Sequence, residues 1–384
     1  MKGMDLIEAL EDIREDWIED AMPTGRRRPP NWLKHLSLAA CLILMIGFSA
    51  TLLMRFGAEP QQKAAAPDAA SAMPLPASQE EQEQEEQTEE ELFYAQFYQL
   101  DRQSMEDYIT QHPETLKHGW QGIDINAAGL EDGGTELYTG QGDQVLALDA
   151  RNGILLIRVY LEEDGHSSRG VLAICKNTSA LRLCGASSLP DTGETVGEIC
   201  EENGGLLAMT GSTFLDDGTS NGGQISGLAV CNGVEMGSRL GGYGDKRLEL
   251  REDDRMYIVD SADDLNPATR DACEFSPALI VDGENVAGNS TWNSPNPRAV
   301  LGQSAKLETM MVVVEGRLLD SPGCGVEDIA DKLEEYGCVQ ALNLDGGTSA
   351  IMYYKGKNVT RCSNTELPNG RNMPTAWVYG EKAE

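Results

Sequence analysis

The sequence predicts an α+β domain, strand-rich with few helices, preceded by a single transmembrane helix and a disordered linker. Three observations carry that expectation. Short apolar runs separated by Gly, Asp and Asn turns fill the C-terminal part of the chain. One amphipathic stretch at helical spacing interrupts them, from Val326 to Tyr336. Near the N-terminus, an uncharged apolar stretch is followed by a polar segment with almost nothing to bury.

Residues 1–35 read as a cytoplasmic segment. Within it, Leu6, Ile7, Leu10, Ile13 and Trp17 recur at helical spacing. That stretch would either dock a cytoplasmic partner through residues 1–22 or stand as a marginal helix with none. Leu36 to Met54 carries no charge, and at about 1.5 Å per residue it just spans a hydrocarbon core of roughly 30 Å. Arg26, Arg27, Arg28 and Lys34 precede it, whereas Arg55 alone follows. The positive-inside rule therefore keeps the N-terminus in the cytoplasm and exports the rest across the cell membrane. The long acidic stretch ahead of the arginines argues against a cleaved signal peptide.

Residues 55–91 form the predicted linker, first Ala/Pro-rich and then almost entirely Glu and Gln. With few apolar side chains to bury, it cannot offset the entropy of ordering, and its glutamates repel one another into an extended tether. Residues 92–118 read as a helical neck, with Phe93, Phe97, Leu100, Met105 and Ile109 at helical spacing. The globular domain is expected over 119–384, with strands at Val145–Leu148, Ile154–Tyr160, Val171–Ile174, Leu206–Met209, Leu228–Val230, Pro277–Val281, Met310–Glu315, Val339–Leu344 and Ala350–Tyr354.

The chain holds 384 residues with a formal net charge of −33. So acidic a protein repels phosphate backbones, and no basic patch stands outside the N-terminal segment, which argues against nucleic-acid binding. Nine cysteines are present, one of them in the apolar stretch. The other eight fit either disulfides of an oxidising compartment or buried thiols. Neither their spacing nor that of His and carboxylates calls for a metal or another cofactor.

The most informative run is Ala341 to Ser349, which contains Asn343, Asp345, Gly346, Gly347, Thr348 and Ser349. A carboxylate at the mouth of a buried strand is costly unless something pairs with it. The two glycines let the backbone approach a ligand closely, and their N–H groups with the Thr348 and Ser349 hydroxyls would surround an anionic oxygen. A tight turn with a capping aspartate has the same pattern. Arg298, fixed by Pro297, and Arg371, between Gly370 and Pro374, are candidate phosphate clamps.

Pro277 to Gly283, Pro297-Arg298, Val312 to Arg317, Ser321-Pro322-Gly323, the helix after them and Asn343 to Ser349 follow the order found in the phosphodiester glycosidase domain family. The chain resembles that family from about 121 to 380, most strongly from 277 onward. The family's Asn-Gly-Gly-Phe-Phe segment corresponds to Thr210-Gly211-Ser212-Thr213-Phe214, with Thr210 in place of the asparagine.

The resemblance implies hydrolysis of a sugar 1-phosphodiester, a carbohydrate or sugar-phosphate substrate at the outer face of the membrane. Asp345 would stabilise the sugar cation or activate water, and Asp282 would be a weaker second carboxylate. Arg298 and Arg371 would clamp the phosphodiester, the Gly346 and Gly347 amides would position an oxygen, and Thr210 and Gly211 would stand at the substrate-binding segment. The altered segment also fits a non-catalytic module that binds glycan or wall polymer in exopolysaccharide biogenesis. A structural anchor or sensor signalling through the cytoplasmic helix is a third reading.

Overall fold

Three antiparallel sheets organise the computed structural model, which describes residues 87–127, 134–163, 165–215, 221–238 and 244–380. The apolar stretch at 36–54, the segment 1–35 expected in the cytoplasm and the linker up to residue 86 lie outside the described residues. Among the described residues no helix is long and apolar enough to cross a membrane.

The largest sheet has nine strands, in the order Asp124–Asn126, Gln144–Asp149, Ile154–Glu163, His166–Cys175, Thr309–Val314, Arg298–Ser304, Cys338–Leu344, Ala278–Val281 and Glu284–Asn285. A five-stranded sheet runs Met256–Asp260, Lys246–Arg251, Thr269–Phe275, Gly227–Cys231, Val234–Ser238. Another runs Lys357–Asn358, Met352–Tyr354, Leu207–Thr210, Thr375–Tyr379, Leu181–Gly185.

Alternation along the central strands explains the layering, because successive side chains point to opposite faces. Ala299, Leu301, Met311, Val313, Leu342 and Leu344 face an inner core shared with the two smaller sheets, where Leu248, Phe275, Met209 and Trp377 meet them. Val300, Met310, Val312, Val314 and Ala341 face the other way, into a second core covered by helices. Both faces are buried, so these strands appear in the sequence as largely apolar runs rather than alternating ones.

Among the described residues, four α-helices pack outside the sheets. The first, α1 (Glu89–Gln96), begins inside the stretch assigned to the linker. Thr88 caps it: the Thr88 hydroxyl accepts from the Glu91 N–H at 3.2 Å, and the Glu91 carboxylate accepts from the Thr88 N–H at 2.8 Å. Phe93 and Phe97 then bury completely against the nine-stranded sheet.

The single helix expected over the neck is interrupted. The chain leaves α1 at Phe97, and α2 (Arg102–Gln111) starts afresh because the Asp101 carboxylate accepts from the Ser104 N–H at 2.9 Å. Helix α3 (Val196–Glu202) was not anticipated. Its apolar residues are few, and the available signal was the Thr195–Glu198 capping box. Helix α4 (Val326–Glu335) lies where the amphipathic pattern puts it, burying Val326, Ile329, Ala330 and Leu333.

Cys175, Cys200, Cys231, Cys273, Cys338 and Cys362 are free thiols. Burial pushes those of Cys200, Cys273 and Cys338 up to about 12, as expected of thiols used for packing.

Candidate active site

The strand order itself creates a cleft. Strand Cys338–Leu344 ends at Asp345, and its antiparallel neighbour Arg298–Ser304 begins beside that end, with Ala299 opposite Leu344. The next strand over, Thr309–Val314, finishes opposite Arg298 and leads through Glu315 and Gly316 to Arg317. Asp345, Pro297-Arg298 and Arg317 therefore reach one edge of the sheet.

The smaller sheets deliver their strand ends to the same edge. Phe275 closes Thr269–Phe275, and Thr213 and Phe214 follow Leu207–Thr210. Arg371 precedes Thr375–Tyr379, which pairs with Leu207–Thr210 in antiparallel register. Together these residues, with the loop through Trp292, line a cleft of 470 Å³. Among the described residues that line it, Asp345 is the one carboxylate, against three arginines, Arg298, Arg317 and Arg371. Its apolar wall is aromatic: Phe275 meets Trp292 edge-on at 5.7 Å between ring centroids, and the Arg371 guanidinium lies 4.5 Å over Phe214.

Each arginine is held differently. Arg298 is 5% exposed. Its Nε donates to the Cys324 carbonyl at 3.2 Å, and its Nη2 to the Trp292 and Ser294 carbonyls at 2.7 and 2.9 Å. Arg317 is exposed and donates through Nε and Nη2 to one acceptor, Asn296 Oδ1, at 3.3 and 3.0 Å.

Behind Arg317, Glu315 is buried. It accepts from Arg361 Nε and Nη2 at 2.9 and 2.7 Å, from the Arg361 backbone N–H at 2.9 Å and from Arg169 Nε at 3.3 Å. Burial alone would lower the Arg361 pKa, but bonds to Glu315 and Asp320 raise it. That cluster anchors the strand end from which Arg317 projects.

The structure gathers Asp345, Gly346, Gly347, Arg298 and Arg371 around the cleft and leaves the other nominated residues out of its lining. Asp282 sits in the turn after Ala278–Val281 with φ 50 and accepts from Gln340 Nε2 at 2.6 Å. Gln340 stands near the start of the strand that ends at Asp345, so the two aspartates are about 16 Å apart at 3.3 Å per residue and belong to different surfaces.

Thr210 is fully buried, and its hydroxyl bonds the Ser349 carbonyl inside the protein. Gly211 packs against Thr375, whose Oγ1 would lie 2.3 Å from an added Cβ. Asn343 is buried and donates to the Ser276 carbonyl at 2.7 Å. Ser349 is 2% exposed, and the Thr348 hydroxyl meets that of Ser363 at 3.3 Å.

The glycines, too, serve the protein's own backbone. A Cβ on Gly346 would sit 2.5 Å from the Pro297 carbonyl oxygen, and the Gly347 N–H donates to that same oxygen at 3.1 Å. The Gly347 amide is thus not directed at a ligand.

Sequence reasoning missed Arg317, Phe214, Phe275, Trp292 and Asn296. For Arg317 a signal existed: it follows Gly316 at the end of a predicted strand, inside a segment already matched to the family. The aromatic residues lie in or beside loops, whose convergence only the sheet order reveals.

Residues 203–379 match the model of the phosphodiester glycosidase family. The SPbeta prophage-derived uncharacterized protein YomE of Bacillus subtilis (strain 168) is 26% identical over 182 residues, which is 44% of this chain. The match spans 28% of that relative's own length.

Among solved structures, one similar fold is that of the zebrafish N-acetylglucosamine-1-phosphodiester alpha-N-acetylglucosaminidase catalytic domain, auto-inhibited by pro-peptide. It superposes with a TM-score of 0.51 at 16% identity, over 60% of this chain and 83% of that one. A hypothetical protein from Synechocystis superposes with a TM-score of 0.42 at 13% identity, over 59% of this chain and 62% of its own.

Proposed function

On the premise that residues 203–379 belong to the phosphodiester glycosidase family, we propose that this chain hydrolyses a sugar 1-phosphodiester in the cleft at Asp345. The supporting observation is the charge arrangement, among the described lining residues a single carboxylate with three guanidinium groups beside an aromatic wall. Such a cleft is built for a substrate with an anionic half and a half presenting C–H faces.

The chemistry requires little more. The bond between the anomeric carbon and the ester oxygen breaks, and its electron pair leaves on a phosphate monoester. That leaving group has a second pKa near 6 and departs without a strong general acid. One carboxylate therefore suffices, and the position of Asp282 on another surface is no obstacle. Asp345 stabilises the oxocarbenium-like centre, and water adds at the anomeric carbon with its proton passing to the same carboxylate. Guanidinium charge in the cleft holds the anion in place. In this proposal the domain lies outside the cell, tethered by the apolar stretch at 36–54, and acts on envelope or environmental glycans.

Asp345→Asn in the full-length chain tests the assignment, with release of sugar from a sugar 1-phosphodiester as the readout. We expect a loss of at least about a hundredfold, the usual worth of a positioned acid–base or electrostatic group. Near-normal turnover would remove Asp345 from this role.

The burial of Thr210 favours a second reading. With its hydroxyl taken up by the Ser349 carbonyl, the position of the family's asparagine offers nothing to a substrate or water. The cleft would then bind glycan phosphodiesters without cleaving them, as a module in exopolysaccharide biogenesis. Binding without turnover by the unmodified chain would establish that reading.

A further inference from the structure

We propose that Arg317 is the residue that grips the phosphodiester anion, with Asn296 setting its orientation, whereas Arg298 is a positioning residue for the loop carrying Trp292. The proposal rests on the cleft being a sugar-phosphodiester site, and it puts Arg317 in the place of Arg298 as a clamp that the sequence nominated.

The guanidinium groups differ in what they have left to offer. Arg298 is buried, and its Nε and Nη2 donate to three main-chain carbonyls, those of Cys324, Trp292 and Ser294. It joins the chain at Cys324 to the loop at 292–294 and supports the Trp292 ring at 5.7 Å. A ligand could capture those donors only by breaking the loop that walls the cleft.

Arg317 turns two donors to one neutral acceptor, Asn296 Oδ1. Among the described residues no carboxylate pairs with it. Its Nη1 lies nearest Gly347, 3.4 Å from where a Cβ would stand, so the absent side chain leaves the guanidinium lying over the turn that follows Asp345.

Arg317 is exposed but not loose. Asn296 is fixed on both sides: its Nδ2 donates to Ser294 Oγ at 3.1 Å, and its backbone exchanges hydrogen bonds with Cys324 at 3.3 and 3.2 Å. With the Nδ2 committed, the Oδ1 must point to Arg317. The Arg317 backbone has φ 58, a left-handed conformation uncommon for a residue with a side chain, held by its N–H donating to Pro322 O at 2.9 Å. Strain of this kind persists where the surroundings over-determine it, commonly at binding sites. A planar fork held in one orientation suits the two free oxygens of a phosphodiester.

The test uses the full-length chain, with dimethyl phosphate as the anion probe, its affinity read by NMR titration, and KM and kcat measured on a sugar 1-phosphodiester. Arg317→Gly keeps the left-handed backbone relaxed, so its thermal midpoint should match the parent. Its affinity for the probe should fall about tenfold to a hundredfold, the range of one lost charge-assisted hydrogen-bonded contact. Asn296→Ala should weaken the probe in the parent but not in the Arg317→Gly background, a coupling that a merely structural role of Asn296 would not show.

Parent-like affinity in Arg317→Gly, or an equal effect of Asn296→Ala in both backgrounds, overturns the proposal. Arg317→Lys retains the charge without the fork, and full affinity in that variant also overturns it. Failure of the hydrolytic reading looks different: the unmodified chain would turn nothing over, yet bind the probe in an Arg317-dependent way.

Discussion

Replacing Arg298 with methionine separates a structural tie from a substrate clamp. The substitution keeps an unbranched stem and removes the guanidinium, and with it the bonds to the carbonyls of Cys324 at 3.2 Å, Trp292 at 2.7 Å and Ser294 at 2.9 Å. A hydrogen bond with one charged partner nets about 1.5–3 kcal/mol. Arg298 is 5% exposed, so solvent screens these bonds little. Two of the three leave through the same Nη2, however, and a loosened loop can turn its carbonyls to water, so the terms do not add fully.

The expected loss is therefore about 3–5 kcal/mol, comparable to breaking a buried ionic contact. With a urea m-value of about 3 kcal/mol/M, the midpoint falls by about 1–1.7 M. Equilibrium urea unfolding of the full-length chain, followed by circular dichroism, measures it. A midpoint within about 0.3 M of the parent, together with a sharply raised KM for the phosphodiester, would refute the tie and restore Arg298 as the clamp.

Other outcomes follow from the same geometry. Gly346→Ala forces a Cβ to 2.5 Å from the Pro297 carbonyl oxygen, an overpacking worth about 1–3 kcal/mol; the thermal midpoint and kcat should both fall, and an unchanged pair would show slack in the turn. Asp282→Asn should leave hydrolysis within about twofold of the parent, because surface substitutions away from a site are near neutral; a large loss of turnover would return Asp282 to the chemistry.

The buried pair of Lys176 and Glu308, 2.6 Å apart, joins the neck to the large sheet with help from Tyr98 and Gln99. Burial would raise the Glu308 carboxyl, but Lys176 and the hydroxyls of Tyr98 and Ser304 hold it below its ordinary 4.5. The unfolded chain then binds the extra proton, so this stabilisation is complete above pH 4.5 and fades as the pH falls through the lower folded value. Thermal midpoints of the parent and Glu308→Gln across that window should converge toward acid, and parallel curves would contradict the linkage.

Much of this architecture was legible because local chemistry and tertiary packing agree. The run Met310–Val314 is apolar throughout and Val339–Leu344 is broken only by Gln340 and Asn343, because both faces of their sheet are covered, and α4 declares itself by its spacing. The neck was misread because its apolar periodicity continues across Phe97–Asp101 while the capping aspartate restarts the helix.

Asp345 and Arg371, which a strand end and a rigid turn display, both line the cleft. Arg298 and Arg317 could not be ranked from sequence, since an arginine that satisfies carbonyls and one that awaits an anion look alike until hydrogen bonds are traced. Thr210 and Asn343 show the converse: polar residues beside a conspicuous motif, both are buried and bonded to main-chain carbonyls of the interior.

The pairing of Thr309–Val314 with His166–Cys175 has a practical corollary. The family match begins at residue 203, after the latter strand has been made. Excising the matched stretch would strip one flank from Thr309–Val314, leaving a row of unmet backbone donors and acceptors on a segment of one threonine, two methionines and three valines. Such a bare apolar border recruits other chains. Chain outside the recognised segment thus acts as a built-in guard against self-association, and shortened versions of this protein should retain it.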